Sequence, residues 1–337
     1  MLVDDVVKVV AFGGGHGLSA SLRALRIMQN DLKLDITAVV TVADNGGSSG
    51  RLRDERDALP PGDLRQALVA LCGDRRELTA ELFQHRFAGE DPLGGHPVGN
   101  LVLMGLMELL GDPVEALDHA ADLLNACGRV LPMSRRPLSI EADVIGLDPE
   151  DPSRPVVVSG QHAVAVTPGH VSQVRLSPRT PLGCAEALAA VRTADWLIFG
   201  PGSWFTSVIP HFLVPEMREA ISASDARRLV TLNLAEEKET AGLSHADHLA
   251  ALMSYLPESR VDVVIADDVA VGEPGPVERA AADLGARLVL APVAADDGTP
   301  RHEPAALAAV LHSILGSQGA RGIRGGRHDG DDSRGQG

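Results

Sequence analysis

The sequence has few aromatic residues and few cysteines. Trp, Tyr and Phe make up 3% of the 337 residues, whereas hydrophobic residues make up 45%. A core must therefore be built from aliphatic side chains, which suits a parallel sheet covered by helices. The three cysteines, Cys72, Cys127 and Cys184, form no CxxC or metal-binding spacing. We therefore interpret them as small core residues of a protein in a reducing compartment.

Basic residues are scarce as well. The chain has 30 Lys and Arg against 46 Asp and Glu, which gives a formal net charge of −16. General nucleic-acid binding needs a basic surface, so this charge argues against it. A small anionic ligand is still compatible, because backbone dipoles can oppose the global charge locally. No apolar run approaches the ~20 residues of a membrane span, and no signal-peptide pattern is present, so we expect a cytoplasmic protein without membrane insertion.

Hydrophobic strands that end in glycine or a short polar residue recur along the chain. Val6–Phe12 is a β-branched run that ends at a glycine cluster, and Trp196–Phe199 ends at Gly200. Further strands are predicted at Ile36–Ala43, Leu229–Leu232, Val261–Ala266 and Leu288–Ala291. Such strands, each followed by a helix, imply right-handed βαβ units with ligands at the carboxyl edge of the sheet. The pattern predicts a three-layer, Rossmann-like α/β fold with a mostly parallel sheet.

The pattern changes over residues 138–178, where short alternating segments predict a small antiparallel β insertion. Within it, Val156–Val158 and Ala163–Val166 are predicted to form a hairpin. We expect residues 1–315 to form a single α/β domain that contains this insertion. The segment 316–337 is rich in Gly, Arg and Asp, which predicts a disordered tail.

The first strand-to-helix turn reads Gly13-Gly14-Gly15-His16-Gly17. Glycines at such a turn let a phosphate approach the backbone, and the helix N-terminus supplies free N–H groups. The turn is not a dinucleotide fingerprint, because Leu18 stands where the last glycine would fall, and it is not a Walker A loop. The alternative is a tight turn without a ligand. His16 could contact a phosphate or only line the turn.

The second strand runs into Asp44-Asn45-Gly46-Gly47-Ser48, followed by Arg51. Asp44 stands where Rossmann-type folds place a ribose-binding acid, or it could hold Mg²⁺ through one carboxylate. Arg51 could pair with phosphate or with nearby acids. Asp63 could contact a ligand or be the N-cap of the helix Leu64–Leu71. Asn100 could read a base or sugar, or cap its helix.

Gly200-Pro201-Gly202-Ser203 repeats the glycine pattern in the second half of the chain, with Thr206 close behind. Ser203 has no local histidine and acid, so we predict binding of another part of the ligand rather than serine hydrolysis. Asn233 ends a later strand. His245 and Asp247 could bind a metal, although helix capping is the simpler interpretation. Arg301 could close the site or lie on the surface.

The motifs GGGHGLS, TVADNGGSSGRLRD, PPGDLRQAL, GHPVGNL and GPGSWFTSVIPHFLVP, followed by an ETAG…DH segment, occur in this order. Together they resemble the YvcK-type gluconeogenesis factors, within the superfamily of CofD-like 2-phospho-L-lactate transferases. The resemblance covers about residues 6–315. It implies a cytoplasmic bacterial protein that binds UDP-N-acetylglucosamine or a related UDP-sugar and supports cell-wall formation, cell shape and gluconeogenic growth.

The resemblance also implies an unidentified regulatory protein partner and a possible homo-oligomer, without a required cofactor. The alternative is a phospholactyl-type transferase with Mg²⁺ at Asp44; an NAD(P)-dependent oxidoreductase is disfavoured by the failed fingerprint. Three positions depart from the family pattern: His16 replaces a threonine, Asn45 replaces a second aspartate, and Lys238 replaces a glycine. Motifs and resemblance together define this candidate ligand-binding set: Gly13, Gly14, Gly15, His16, Gly17, Asp44, Asn45, Gly46, Gly47, Ser48, Arg51, Asp63, Asn100, Gly200, Pro201, Gly202, Ser203, Thr206, Asn233 and Arg301.

Overall fold

The structure is a computed structural model that describes residues 6–316 except for 57, 236–239, 241 and 257–259. Lys238 and the predicted tail beyond residue 316 therefore lie outside the described residues. The strands are β1 (Val7–Gly13), β2 (Leu34–Val40), β3 (Arg129–Pro132), β4 (Ser139–Ile145), β5 (Val156–Ser159), β6 (His170–Ser177), β7 (Trp196–Phe199), β8 (Arg227–Thr231), β9 (Val263–Asp267) and β10 (Arg287–Ala291).

The helices cover both faces of the main sheet. They are α1 (Gly15–Met28), α2 (Gly47–Arg56), α3 (Pro61–Ala70), α4 (Glu77–Gln84), α5 (Val98–Leu110), α6 (Pro113–Leu124), α7 (Gln161–Ala165), α8 (Ala185–Thr193), α9 (Pro215–Ala223), α10 (His245–Tyr255), α11 (Pro274–Asp283) and α12 (Pro304–Leu315). A π-helical turn (Trp204–Val208) and a 3-10 turn (Ile209–Leu213) follow β7. Over the described ranges, no helix combines the length and the hydrophobicity needed to cross a bilayer.

Seven parallel strands form the main sheet in the order β10-β9-β8-β7-β1-β2-β3. The chain adds strands on one side of β1 and then, from β7 onward, on the other side, so the order reverses between β1 and β7. In open parallel sheets ligands bind at such a reversal, outside the carboxyl ends of the strands. The predicted three-layer, Rossmann-like α/β fold is confirmed.

Strand β1 lies at the centre of the core. Val9, Val10, Ala11 and Phe12 are at most 2% exposed. The ring of Phe12 stacks on Phe199 of the neighbouring β7, with ring centroids 4.9 Å apart. A strand buried on both faces needs a near-continuous hydrophobic run rather than an alternating one, and for this reason the sequence pattern identified β1 correctly.

The predicted antiparallel insertion is also present, as a separate three-stranded sheet in the order β5-β4-β6. The predicted hairpin inside it is wrong, because residues 163–165 belong to α7 rather than to a strand. Gly160 has a φ of +98°, which turns the chain after β5 into this helix. The partner that β4 finds on its other side is β6.

Asp267, at the end of β9, joins this strand to the loop that leads toward Arg301. Its carboxylate accepts hydrogen bonds from the backbone N–H groups of Val269, Ala270, Val293 and Ala294, at 2.8–3.0 Å. Burial alone raises the pKa of Asp267, but these four bonds outweigh it and hold the pKa below its usual value. The carboxylate of Asp267 thus holds the start of the loop at residues 293–294 against the end of β9.

Replacing this acceptor should destabilise the protein. Asp267→Asn puts an amide NH₂ against backbone donors, and each buried donor left unpaired costs about 1–3 kcal/mol. We expect the free energy of unfolding at pH 7 to fall by about 3 kcal/mol in urea denaturation. Asp268→Asn, at the exposed next position, is the matched control and should change it by less than about 0.5 kcal/mol. Equal stability of the two variants would contradict this role.

Candidate functional site

The two glycine loops touch each other at the point where the strand order reverses. A Cβ on Gly17 would overlap the carbonyl oxygen of Pro201 and would lie 2.6 Å from the Cα of Gly202. The Ser21 hydroxyl of α1 donates to the Gly200 carbonyl at 2.9 Å, which fixes the second loop against the first helix. The backbones of the two loops therefore form one rigid floor.

Helix α1 starts at Gly15, three residues before the predicted Leu18, so the glycines form its first turn. Gly14 is the N-cap residue and has no side chain, and the Asp63 carboxylate accepts the N–H of Gly15. The first N–H groups of a helix have no partner within it and carry a partial positive charge. This turn therefore offers donors to an anion at the edge of the sheet.

A cleft of about 750 Å³ opens over this floor. Its walls are α1, the end of β8, the segment 295–304, and residues of α3 and of the chain after α4. Among the predicted site residues, those that line the cleft are His16, Gly17, Pro201, Gly202, Asn233 and Arg301. This volume lies within the range of ordinary small-molecule sites.

Asn233 holds the second glycine loop in place. Its Oδ1 accepts a hydrogen bond from the Gly202 N–H at 2.8 Å, and its Nδ2 donates to the Gly202 carbonyl at 3.0 Å. The Nε2 of His245 lies 2.9 Å from the Asn233 carbonyl. Both ends of the Asn233 amide are thus hydrogen-bonded to the loop, so this side chain positions Gly202 at the edge of the cleft.

Asp63 lies behind the first glycine loop, and its predicted role as an N-cap is wrong. Helix α3 begins at Pro61, so Asp63 sits in the first turn without capping it. A Cβ on Gly14 would overlap Oδ2 of Asp63, and a Cβ on Gly62 would lie 3.1 Å from Oδ2 of Asp44. Burial and the negative charge of Asp44 raise the pKa of Asp63 to about 7. One carboxyl of this pair can therefore hold a proton at neutral pH.

The Asp44 loop is shaped by hydrogen bonds of its own side chains. Oδ1 of Asp44 accepts from the Gly46 N–H at 2.8 Å, and Oδ1 of Asn45 accepts from the His162 N–H of α7 at 3.0 Å. The latter bond ties the antiparallel insertion to the sheet edge. Arg51 donates to the Gly94 carbonyl at 2.9 Å, so it is held by the segment before α5.

Asn100 and Ser48 belong to a buried polar network rather than to the surface of the cleft. The Nδ2 of Asn100 donates to Oγ of Ser48 at 2.9 Å, and Nδ1 of His96 lies 2.8 Å from the same oxygen. The Nε of Arg65 donates to Oδ1 of Asn100 at 2.9 Å. Asn100 is 1% exposed, so the network positions Arg65 at the cleft wall.

Ser203 and Thr206 open the π-helical turn after the second glycine loop. Their hydroxyl groups contact each other, and the Thr206 carbonyl accepts from Nε2 of Gln161 at 3.2 Å. Thr206 is buried, and neither residue lines the cleft. The π-helical turn is therefore joined to α7 through the Thr206 carbonyl.

The pattern at the start of α10 is a cap. The Ser244 hydroxyl and the Asp247 carboxylate form a reciprocal capping box, which confirms the capping interpretation. Among the described residues, no group of three His, Cys, Asp or Glu side chains is arranged to hold a metal ion.

Sequence reasoning missed several residues of the cleft. Arg23 lies on the body of α1, Arg65 within α3, and Arg86 after α4, and all three line the cleft. Burial and the nearby charge of Arg86 lower the pKa of Arg65 to about 10. These residues lie inside or after helices, whereas the sequence signals for ligand binding mark the ends of strands. His302, also on the cleft wall, is buried, and burial lowers its pKa to about 4.

Comparison with known families and proteins agrees with this architecture. The family described as 2-phospho-L-lactate transferase CofD matches residues 9–297. A putative gluconeogenesis factor from Mycobacterium tuberculosis (strain CDC 1551 / Oshkosh) is 50% identical over 312 residues, which cover 91% of this chain and 90% of that protein. The gluconeogenesis factor of Bacillus subtilis (strain 168) is 38% identical over 259 residues, covering 77% of this chain and 78% of that protein.

Solved structures show the same fold. A crystal structure of a Bacillus halodurans protein superposes with a TM-score of 0.81 at 34% identity, covering 91% of this chain and 99% of that one. A second structure from this organism, described as a member of the upf0052 family, gives a TM-score of 0.80, again at 34% identity and with the same coverage.

Proposed function

The chain belongs to the 2-phospho-L-lactate transferase CofD family, and from this premise we propose that it binds UDP-N-acetylglucosamine or a related UDP-sugar. Its similarity to gluconeogenesis factors suggests the biological setting. In the proposal, the protein is a cytoplasmic regulator that couples nucleotide-sugar supply to cell-wall formation, cell shape and gluconeogenic growth. A partner protein responds to the bound state.

The contact between the two glycine loops carries this proposal. Gly17 and Gly202 bring two backbones together without side chains between them, under a cleft of about 750 Å³. His16 and Gly17, in the first turn of α1, line the same cleft. A diphosphate is the group that such a floor suits, because N–H donors at a helix N-terminus bind phosphate oxygens and any Cβ would push the phosphates away.

The second candidate is a phospholactyl-type transferase that uses Mg²⁺, and the pair Asp44 and Asp63 favours it. Each of these carboxyl groups accepts one backbone N–H and keeps other oxygen lone pairs. Two carboxylates suit Mg²⁺, which keeps several waters and binds ligand phosphates. In this alternative Asp44 and Asp63 would hold the ion, which would neutralise phosphate charge. Asn45 would not be a further ligand of the ion, because its Oδ1 already accepts a hydrogen bond from the His162 N–H.

Calorimetric titration tests the two candidates. UDP-N-acetylglucosamine, UDP-glucose, GDP and NAD are each titrated with and without Mg²⁺, and the recovered ligand is analysed by mass spectrometry. We expect saturable binding of the UDP-sugars and their recovery unchanged. Binding of GDP with an altered ligand would establish the transferase, and preferential binding of NAD would contradict both candidates.

A further inference from the structure

Three arginines add positive charge to one wall of the cleft. Arg65 is 3% exposed, and it donates hydrogen bonds to the amide oxygens of Asn100 and Gln84. Arg86 donates to the Gly95 carbonyl at 2.8 Å. None of the guanidinium groups of Arg23, Arg65 and Arg86 forms an ion pair with a described residue. Arg23 and Arg86 are exposed to solvent, whereas Arg65 is buried, and a buried guanidinium hydrogen-bonded to neutral groups is stabilised by an anion that joins it.

On the opposite wall of the cleft, the arginine forms an ion pair with an acid. Arg301 pairs with Asp297 at 2.6 Å, so its charge is already balanced. Glu303 also lines that wall. The arginines without an ion-pair partner therefore lie on the side formed by α1, α3 and the segment after α4. We call this side the arginine wall (Arg23, Arg65, Arg86).

The arginine wall extends away from the glycine floor. His16 and Arg23 lie seven residues apart on α1, and both line the cleft. At the rise of an α-helix this separation is about 10 Å along the axis. A diphosphate seated on the floor is too short to occupy both ends.

The balance of charges in the cleft also favours a second anionic group on the ligand. The diphosphate of a UDP-sugar carries two negative charges, and the N-terminus of α1 already contributes about half a positive charge at the floor. The three guanidinium groups, of which only that of Arg65 is buried, add positive charge beyond the place where the diphosphate is proposed to sit. A further anionic group on the ligand would balance them through charge-assisted hydrogen bonds, which arginine forms well with carboxylates.

We propose that the arginine wall is a second anion subsite, and that the cleft takes a UDP-sugar whose sugar bears a carboxylate. The inference rests on the proposed function, since it places the diphosphate on the glycine floor. It narrows the ligand from UDP-sugars in general to acidic ones. Asp63 interacts electrostatically with Arg65 but forms no ion pair with it, and its pKa of about 7 leaves this carboxyl only partly charged at neutral pH, so it balances Arg65 incompletely.

Two matched ligand pairs test the subsite. UDP-glucuronate and UDP-glucose differ only by a carboxylate in place of a hydroxymethyl group; UDP-N-acetylmuramate and UDP-N-acetylglucosamine differ by a lactyl ether. We expect at least one acidic sugar to bind about tenfold more tightly than its neutral partner, in keeping with a charge-assisted contact. Arg23→Gln and Arg86→Gln should each remove most of this preference while changing the affinity for the neutral sugar by less than about twofold.

Arg218→Gln, on the exposed face of α9, makes the same charge change elsewhere and should leave the preference intact. Binding of UDP and neutral UDP-sugars without any preference for acidic ones would overturn the subsite while the proposed function stands. Equal loss of acidic and neutral sugars in Arg86→Gln would assign the arginines to the diphosphate, which also overturns it. Failure of all uridine nucleotides to bind would instead reject the proposed function.

Discussion

Gly17→Ala is expected to weaken ligand binding strongly and to lower the stability of the protein. The added Cβ meets the backbone of Pro201 and Gly202 rather than a movable side chain, so relief requires the two loops to separate. Forcing atoms into a closely packed contact costs about 1–3 kcal/mol or more. Because the phosphate floor is made of these two backbones, we expect affinity for UDP-N-acetylglucosamine to fall by at least about 100-fold, measured by calorimetry, which is the loss of about 3 kcal/mol.

Gly105→Ala is the control for this change. Gly105 lies on the exposed side of α5, and a Cβ there has no neighbouring atom within 4 Å. Alanine should raise helix stability by up to about 1 kcal/mol and leave binding unchanged. If Gly17→Ala binds ligand with the affinity of the parent protein, the contact between the loops is not the phosphate floor.

Asp63→Asn should make the unliganded protein more stable above pH 7. The folded-state pKa of about 7 exceeds the ordinary 3.8, because burial and Asp44 disfavour the charged form. The stability that the protonated carboxyl contributes is full below pH 3.8 and is lost as pH rises through 7. A difference of this size corresponds to about 4 kcal/mol. Asparagine is neutral throughout, so urea denaturation from pH 5 to 8.5 should show a flatter profile than in the parent protein.

Asp112→Asn provides a control of opposite sign. Burial raises the pKa of Asp112, but hydrogen bonds from Val114, Arg135 and Glu115 outweigh it and lower the pKa below its usual value. Its contribution to stability is present above the ordinary pKa and is lost as pH falls through the folded one. This variant should therefore be less stable than the parent protein at neutral pH. The difference in the free energy of unfolding should decrease as the pH falls. An unchanged pH profile in Asp63→Asn would contradict the buried proton.

Much of the sheet could be predicted because parallel strands buried on both faces leave near-continuous hydrophobic runs, as β1 does. The four-residue β3 was not predicted, since Arg129–Pro132 is too short and ends in proline. The start of α3 was misplaced because Pro61 begins the helix two residues before Asp63. Local sequence cannot rank proline against aspartate as the residue that sets a helix boundary.

The glycine loops could be predicted, but their contact could not. That contact depends on β7 pairing beside β1, and nothing local in the sequence specifies which distant strands become neighbours. The arginine wall was missed for a related reason. In the sequence, Arg23 and Arg86 cannot be distinguished from ordinary surface arginines, because only the tertiary fold brings them to one cleft. Whether each predicted residue contacts a ligand stays a prediction.

The pairing of β1 with β7 also matters during synthesis. Trp196 of β7 pairs with Val9 of β1, so roughly 180 further residues must be synthesised before β1 can pair with its second neighbour, β7. At the usual 5–20 residues per second, the ribosome needs about 10–40 s to supply them. For that time β1 presents an open hydrophobic edge, which is the kind of strand that pairs wrongly with other chains. Nascent chains of this protein should therefore depend on a holding chaperone until the second half emerges.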